Sequence, residues 1–112
     1  MTYPIDGRIS AWTALGDPTR RAIFERLLEQ PQAVHTLANG LPVSRPAVSQ
    51  HLKVLSDAGL VVARREGKQR IYQVDPEGIA AFRAELQRFW DKTMAAYKAV
   101  VEQSPMETSK EE

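Results

Sequence analysis

Cysteine is absent from this 112-residue chain. Disulfides, thiolate metal sites, cysteine nucleophiles and thiol redox switches are therefore excluded within it, and a reducing compartment fits. Long apolar runs are also absent. No stretch approaches the ~20 apolar residues of a membrane span, so no membrane partner is expected. Met1 to Ser10 lacks a basic segment followed by an apolar one, so no signal peptide is expected and the expected location is cytoplasmic. The six glycines are scattered and form no phosphate loop or nucleophile elbow. Aspartates and glutamates fall mostly at helix caps and exposed helix positions. No catalytic residue, enzyme activity or cofactor is therefore expected. Net charge is nearly absent, at +1, which argues weakly against a nucleic-acid binder. Its distribution matters more. Val61 to Val74 carries +3 and Glu102 to Glu112 carries −3, so an acidic end hides a basic segment in the total.

The length suits one domain, and 43% hydrophobic content suffices for a small core. A chain this short often gains stability by dimerising. We expect a folded domain over residues 1–103 and a disordered acidic tail over 104–112. Asp6 to Leu15 reads as a short helix with Ile9, Trp12 and Leu15 apolar, stopped by Gly16. Asp17-Pro18 opens a second helix, with Asp17 as N-cap and Pro18 at the first helical position. Its expected buried face is Ile23, Phe24, Leu27 and Leu28, and Pro31 ends it. A third, short helix over about Ala33 to Asn39 turns Val34, Leu37 and Ala38 inward. Gly40-Leu41-Pro42-Val43 is a tight turn.

The segment 44–58 is the most informative. Val48, Leu52 and Leu55 recur at spacings of four and three and share one stripe. Arg45, Ser49, Gln50 and Lys53 fall on the other side. Ser44 is a good N-cap, Pro46 is tolerated in the first turn, and Gly59 can end the helix in a left-handed conformation. A buried stripe opposite small, polar and basic groups suits a helix in a DNA major groove, where Arg, Ser and Gln reach base edges and Lys meets phosphate. An ordinary amphipathic surface helix would show the same stripe, so the neighbours decide.

After Gly59 the pattern changes to strands. Leu60 to Arg65 and Arg70 to Val74 flank Glu66-Gly67-Lys68-Gln69, a hairpin signal with a polar, basic tip. Asp75-Pro76 repeats the cap-and-proline device and opens a long helix to about Gln103. Ile79, Phe82, Leu86, Phe89, Trp90, Tyr97, Val100 and Val101 keep spacings of three and four along it. Such a stripe is longer than a domain of this size covers. It either packs against a second copy, which is the expectation, or folds back on the first helix. Helix, helix, short helix, turn, helix, basic hairpin, long helix is a winged helix-turn-helix layout, mainly α with a small β-hairpin. The ribbon would carry Arg64, Lys68 and Arg70 to the DNA backbone or the adjacent minor groove.

Leu15-Gly16-Asp17-Pro18-Thr19-Arg20-Arg21-Ala22-Ile23 resembles the opening of the ArsR/SmtB family of bacterial repressors. Val43 to Leu55, followed by Ala58-Gly59-Leu60-Val61, resembles its recognition helix, and Arg64 to Tyr72 its wing. The likeness covers about Ile9 to Val101. It implies a homodimer joined through the first and last helices, with Ile9, Trp12, Leu86, Phe89, Trp90 and Tyr97 at the interface. It implies double-stranded DNA as partner, bound at an imperfect inverted repeat, usually to repress. Carried over by position, Ser44, Arg45, Ser49 and Gln50 would approach bases, with Pro46 also among the DNA-binding residues, and Lys53 and the wing cations would hold phosphates. Thr19 and Arg20 would meet backbone at a helix N-terminus.

Metal sensing is where the chain departs from the family. The positions resembling the family's Cys-x-Cys pair are Ala33 and His35, and the last helix has no histidine. Two histidines in different helices supply transition metals poorly. No metal site is therefore expected, and His35 and His51 read as ordinary helix residues, His51 as partly buried or DNA-proximal. An apolar effector between subunits, lined by Trp12, Phe89, Trp90, Met94 and Tyr97, is the alternative to a plain dimer core.

Overall fold

The computed structural model describes residues 9–103. The chain divides into two compact units, Met1–Ala80 and Ala81–Glu112, each described by itself. The expected start of the first helix at Asp6 and the expected acidic tail lie outside the described residues.

Within the first unit, α1 is Ala11–Leu15, capped by the Ser10 hydroxyl, which accepts from the Thr13 N–H at 3.1 Å. Ile9 and Ser10 thus precede the helix that was expected to contain them. Its buried residues are Ala11 and Ala14, while Trp12 is 42% exposed. The small alanines let α1 lie close to its neighbours, which the larger residues of the expected face would not allow.

α2, Pro18–Glu29, begins as anticipated: the Asp17 carboxylate accepts from the Arg20 N–H at 2.9 Å. Ile23, Phe24 and Leu27 are buried. Leu28 is not, at 57% exposure, because it lies one position round the helix from the buried Leu27. Gln30 and Pro31 lead into a strand that the helical pattern concealed, β1, Gln32–Ala33. Gln32 is buried, and its amide donates to the carbonyls of Arg26 and Gln30 at 3.0 and 3.4 Å, so the buried polar group is satisfied. α3 follows as Val34–Asn39, one residue later than expected, with Leu37 fully buried and Val34 and Ala38 half-buried.

α4, Arg45–Asp57, has the face its sequence announces. Val48, Leu52 and Leu55 are fully buried, and the Ser44 hydroxyl accepts from the Ala47 N–H at 3.2 Å. Gly59 takes φ +80°, the left-handed stop. β2, Val61–Glu66, and β3, Gln69–Val74, then form the hairpin, joined by Gly67 and Lys68 alone, with Gly67 at φ +64°. The loop is two residues, not four, because Glu66 and Gln69 still pair. β1 adds to the free edge of β3, giving a three-stranded antiparallel sheet in the order β1-β3-β2. Ile71, opposite Ala33, anchors β3 in the core.

α5, Pro76–Gln103, starts in the first unit with the Asp75 carboxylate accepting from the Glu77 N–H at 3.0 Å. There Gly78 lies against the Gly59 carbonyl, and any side chain at 78 would strike that backbone oxygen. Glycine at 78 therefore sets how closely α5 begins beside the end of α4. In the second unit the helix carries Leu86, Phe89, Trp90, Met94, Tyr97 and Val100 on exposed positions. Among the described residues no helix is long and apolar enough to cross a membrane.

Candidate nucleic-acid interface

Burying Val48, Leu52 and Leu55 forces the rest of α4 outward. Arg45, Pro46, Ser49, Gln50 and Lys53 are all exposed, as is Ser44 at the cap. Positions 46, 49, 50 and 53 follow three- and four-residue spacings and share a face. Ser44 spends one lone pair on the cap. Lys53 pairs with Asp57 at 3.3 Å, but both side chains are well exposed. An exposed i,i+4 pair contributes only about 0.3–0.5 kcal/mol, so it does not bar Lys53 from a phosphate.

The fold brings the wing turn beside the start of this helix. An open cleft of about 440 Å³ is lined by Arg45 and Ser49 of α4, by Lys68, Gln69 and Arg70 of the wing, and by His35 of α3. Pro46, Ala33 and Val34 supply its apolar wall. Of the expected DNA contacts, Arg45, Pro46, Ser49, Lys68 and Arg70 thus meet at one place. Gln50 and Lys53 lie on the same helix outside the cleft lining.

Arg64 is placed differently. It sits opposite Ile71, so it shares the sheet face of Ile71 and Gln73. Its guanidinium donates to the Gln73 side-chain oxygen at 2.8 Å and pairs with Glu66 at 3.3 Å. Arg65, which sequence reasoning counted as charge but did not nominate, stands directly opposite Arg70. Like charges facing each other across strands are destabilising. Neither forms an ion pair with another described residue. The two-residue turn fixes that juxtaposition, and the hairpin register was the signal that could have found it. His35 and Gln69 were likewise missed, because their neighbours become visible only once β1 joins β3.

Thr19 and Arg20 occupy the first turn of α2, both half-buried. The Arg20 Nε donates to the Ala14 carbonyl at 2.8 Å, and its Nη1 lies 3.5 Å from Nδ1 of His51. Arg20 therefore links α1 and α2 to α4. His51 is half-buried, as expected, and faces Arg20. The Asp17 carboxyl is held below its ordinary value, first by the Arg20 backbone N–H and, against some burial, by the charges of Arg20 and His51.

Residues 15–64 match a family described as a helix-turn-helix domain. The chain is 56% identical over 92 residues to the HTH-type transcriptional regulator Rv2034 of Mycobacterium tuberculosis, covering 82% of this chain and 86% of that protein. An ArsR-like transcriptional regulator from Rhodococcus sp. RHA1 superposes with a TM-score of 0.65 at 34% identity, over 80% of this chain and 87% of the other. The homodimeric winged helix-turn-helix DNA-binding domain Mb0332 from Mycobacterium bovis gives a TM-score of 0.58 at 31% identity, over 71% and 74%. All three are named for transcriptional regulation or DNA binding, and none for catalysis.

Proposed function

Because this chain belongs to the ArsR/SmtB family of winged helix-turn-helix transcriptional regulators, we propose that it acts as a homodimeric repressor on an inverted-repeat operator. The chain is a DNA-binding regulator rather than an enzyme. Each protomer inserts α4 into a major groove, with Arg45, Ser49 and Gln50 toward bases and Lys53 toward phosphate. The wing places Lys68 and Arg70 on the flanking backbone. The observation that carries this reading is the meeting of Arg45, Lys68 and Arg70 around one cleft beside the exposed face of α4. Such a dimer represses by occupying the promoter, in the cytoplasm where the genome lies.

The partner for the exposed stripe of α5 is a second copy, as the homodimeric relative suggests. Ile9 and Trp12 of the first segment join Leu86, Phe89, Trp90 and Tyr97 there. The same reading has a signal other than metal, because the chain has no cysteine and its last helix no histidine, the thiolate and imidazole donors that transition metals prefer. An apolar effector between subunits is the second reading, favoured by the exposed Trp90, Met94 and Tyr97. Such an effector would quench tryptophan fluorescence and lower operator affinity together.

Anisotropy of a labelled duplex from the gene's own upstream region, against scrambled competitor at two salt concentrations, tests the reading. Competitor-resistant binding that weakens steeply with salt is expected. Arg45→Ala should lose about 10- to 100-fold in affinity, the scale of a bidentate base contact. Unchanged affinity in that variant would remove α4 from the interface.

A further inference from the structure

The cleft beside the wing holds one titratable side chain that the regulator reading does not use. His35 is half-buried in the first turn of α3 and lines the cleft with Arg45, Ser49, Lys68, Gln69 and Arg70. Three fixed cations face it, Arg45 from α4 and Lys68 and Arg70 from the wing. Ser49 and Gln69 are its neutral polar neighbours, and no carboxylate is among the lining residues. Nor do Arg45, Lys68 or Arg70 pair with an acid elsewhere among the described residues. Converging cations without a counter-charge mark a place for an anion, and a duplex presents phosphates along its backbone.

We infer that this cleft receives a backbone phosphate of the bound duplex, and that His35 as imidazolium and Gln69 through its amide donate to it beside Arg45, Lys68 and Arg70. The inference rests on the regulator reading and adds two residues and a proton to it. Imidazole changes charge between pH 5 and 8. A phosphate seated in the cleft attracts a proton to the imidazole beside it. DNA binding therefore takes up a proton, and affinity rises as pH falls. The other histidine, His51, lies against Arg20 and is not among the cleft residues.

The test is the affinity of the full chain for a generic duplex at low salt and for the upstream duplex, each at pH 5.5 and pH 8. Wild type should bind roughly tenfold more tightly at pH 5.5, as for a gained charged hydrogen bond. Its salt dependence should steepen there by about 0.9 in log–log slope, the signature of one more phosphate contact. His35→Gln should be flat with pH. His35→Lys, permanently charged, should keep the acid-side affinity at pH 8. Wild-type calorimetry in two buffers of different ionisation enthalpy should show uptake of up to about one proton per protomer. A wild type indifferent to pH, or the same pH dependence in His35→Gln, overturns the inference while leaving the regulator reading intact. Failure to bind any duplex, or full binding by Arg45→Ala, overturns both.

Discussion

In α4 the apolar residues Val48, Leu52 and Leu55 are fully buried, whereas in α5 Leu86, Phe89, Trp90, Met94, Tyr97 and Val100 are between 39% and 62% exposed. Both helices carry apolar residues at spacings of three and four. Periodicity states that a helix has a face to bury. It does not state what buries it. For α4 the answer lies in the same chain, where α2, α3 and the sheet close over the stripe. That closure fixes the opposite face outward, the face that meets DNA in our reading. For α5 the stripe has no buried residue in the single chain, and a second copy supplies the missing surface in our reading.

The largest effect should come from breaking the α4 side. Leu52→Ala removes a fully buried side chain and leaves a cavity, at a cost of about 2–5 kcal/mol. For a domain this small that is a large share of its stability. Denaturant melts should show an unstable or unfolded chain, and DNA binding should go with the fold. A melt within 1 kcal/mol of wild type, on the order of a surface substitution, would mean that the core closes elsewhere.

The α5 side should break differently. Trp90→Glu puts a charge into the exposed stripe, where the single chain loses little. Circular dichroism should show the helical content kept, while sedimentation at micromolar concentration shows a monomer. Operator affinity should fall on the order of a hundredfold, because two linked half-site contacts become independent. A dimer that survives would place the interface outside the stripe. One variant thus loses fold and function together, and the other keeps the fold and loses assembly.

The same contrast explains what the sequence made legible. Caps and stripes are local, so Ser44, Asp17 and the buried Val48, Leu52 and Leu55 could be named from spacing. The β1 strand could not. Gln32 and Ala33 are strand only because Tyr72 and Ile71 lie beside them, and two residues carry no period. Leu28 satisfied the helical pattern, yet only its neighbour Leu27 reaches the core, and Leu28 faces away. In α1 a preference for large apolar residues pointed to Trp12, whereas close packing selected Ala11 and Ala14. The cleft was half legible: Arg45, Ser49, Lys68 and Arg70 were nominated by charge and position, while His35 and Gln69 needed the sheet order to join them. Arg64 and Arg65 differ by one residue and therefore by a sheet face, a distinction that waits on register.

The smallest expected effect concerns how α4 is held against α2. Asp17 caps α2, and Arg20 in the same turn reaches both the Ala14 carbonyl and His51 of α4. The Asp17 carboxyl titrates below its ordinary 3.8 because the folded chain gives the charged form an N–H donor and nearby positive charge. A group with a lowered folded pKa adds stability that is fully present above the unfolded value and is lost as pH falls through the folded one. Asp17→Asn is the informative variant, since asparagine caps a helix about as well without the charge. Wild type should melt slightly higher than Asp17→Asn at neutral pH, and the gap should close as pH drops below 3.8. A gap that persists in strong acid would show that the cap geometry, not the charge, holds the start of α2.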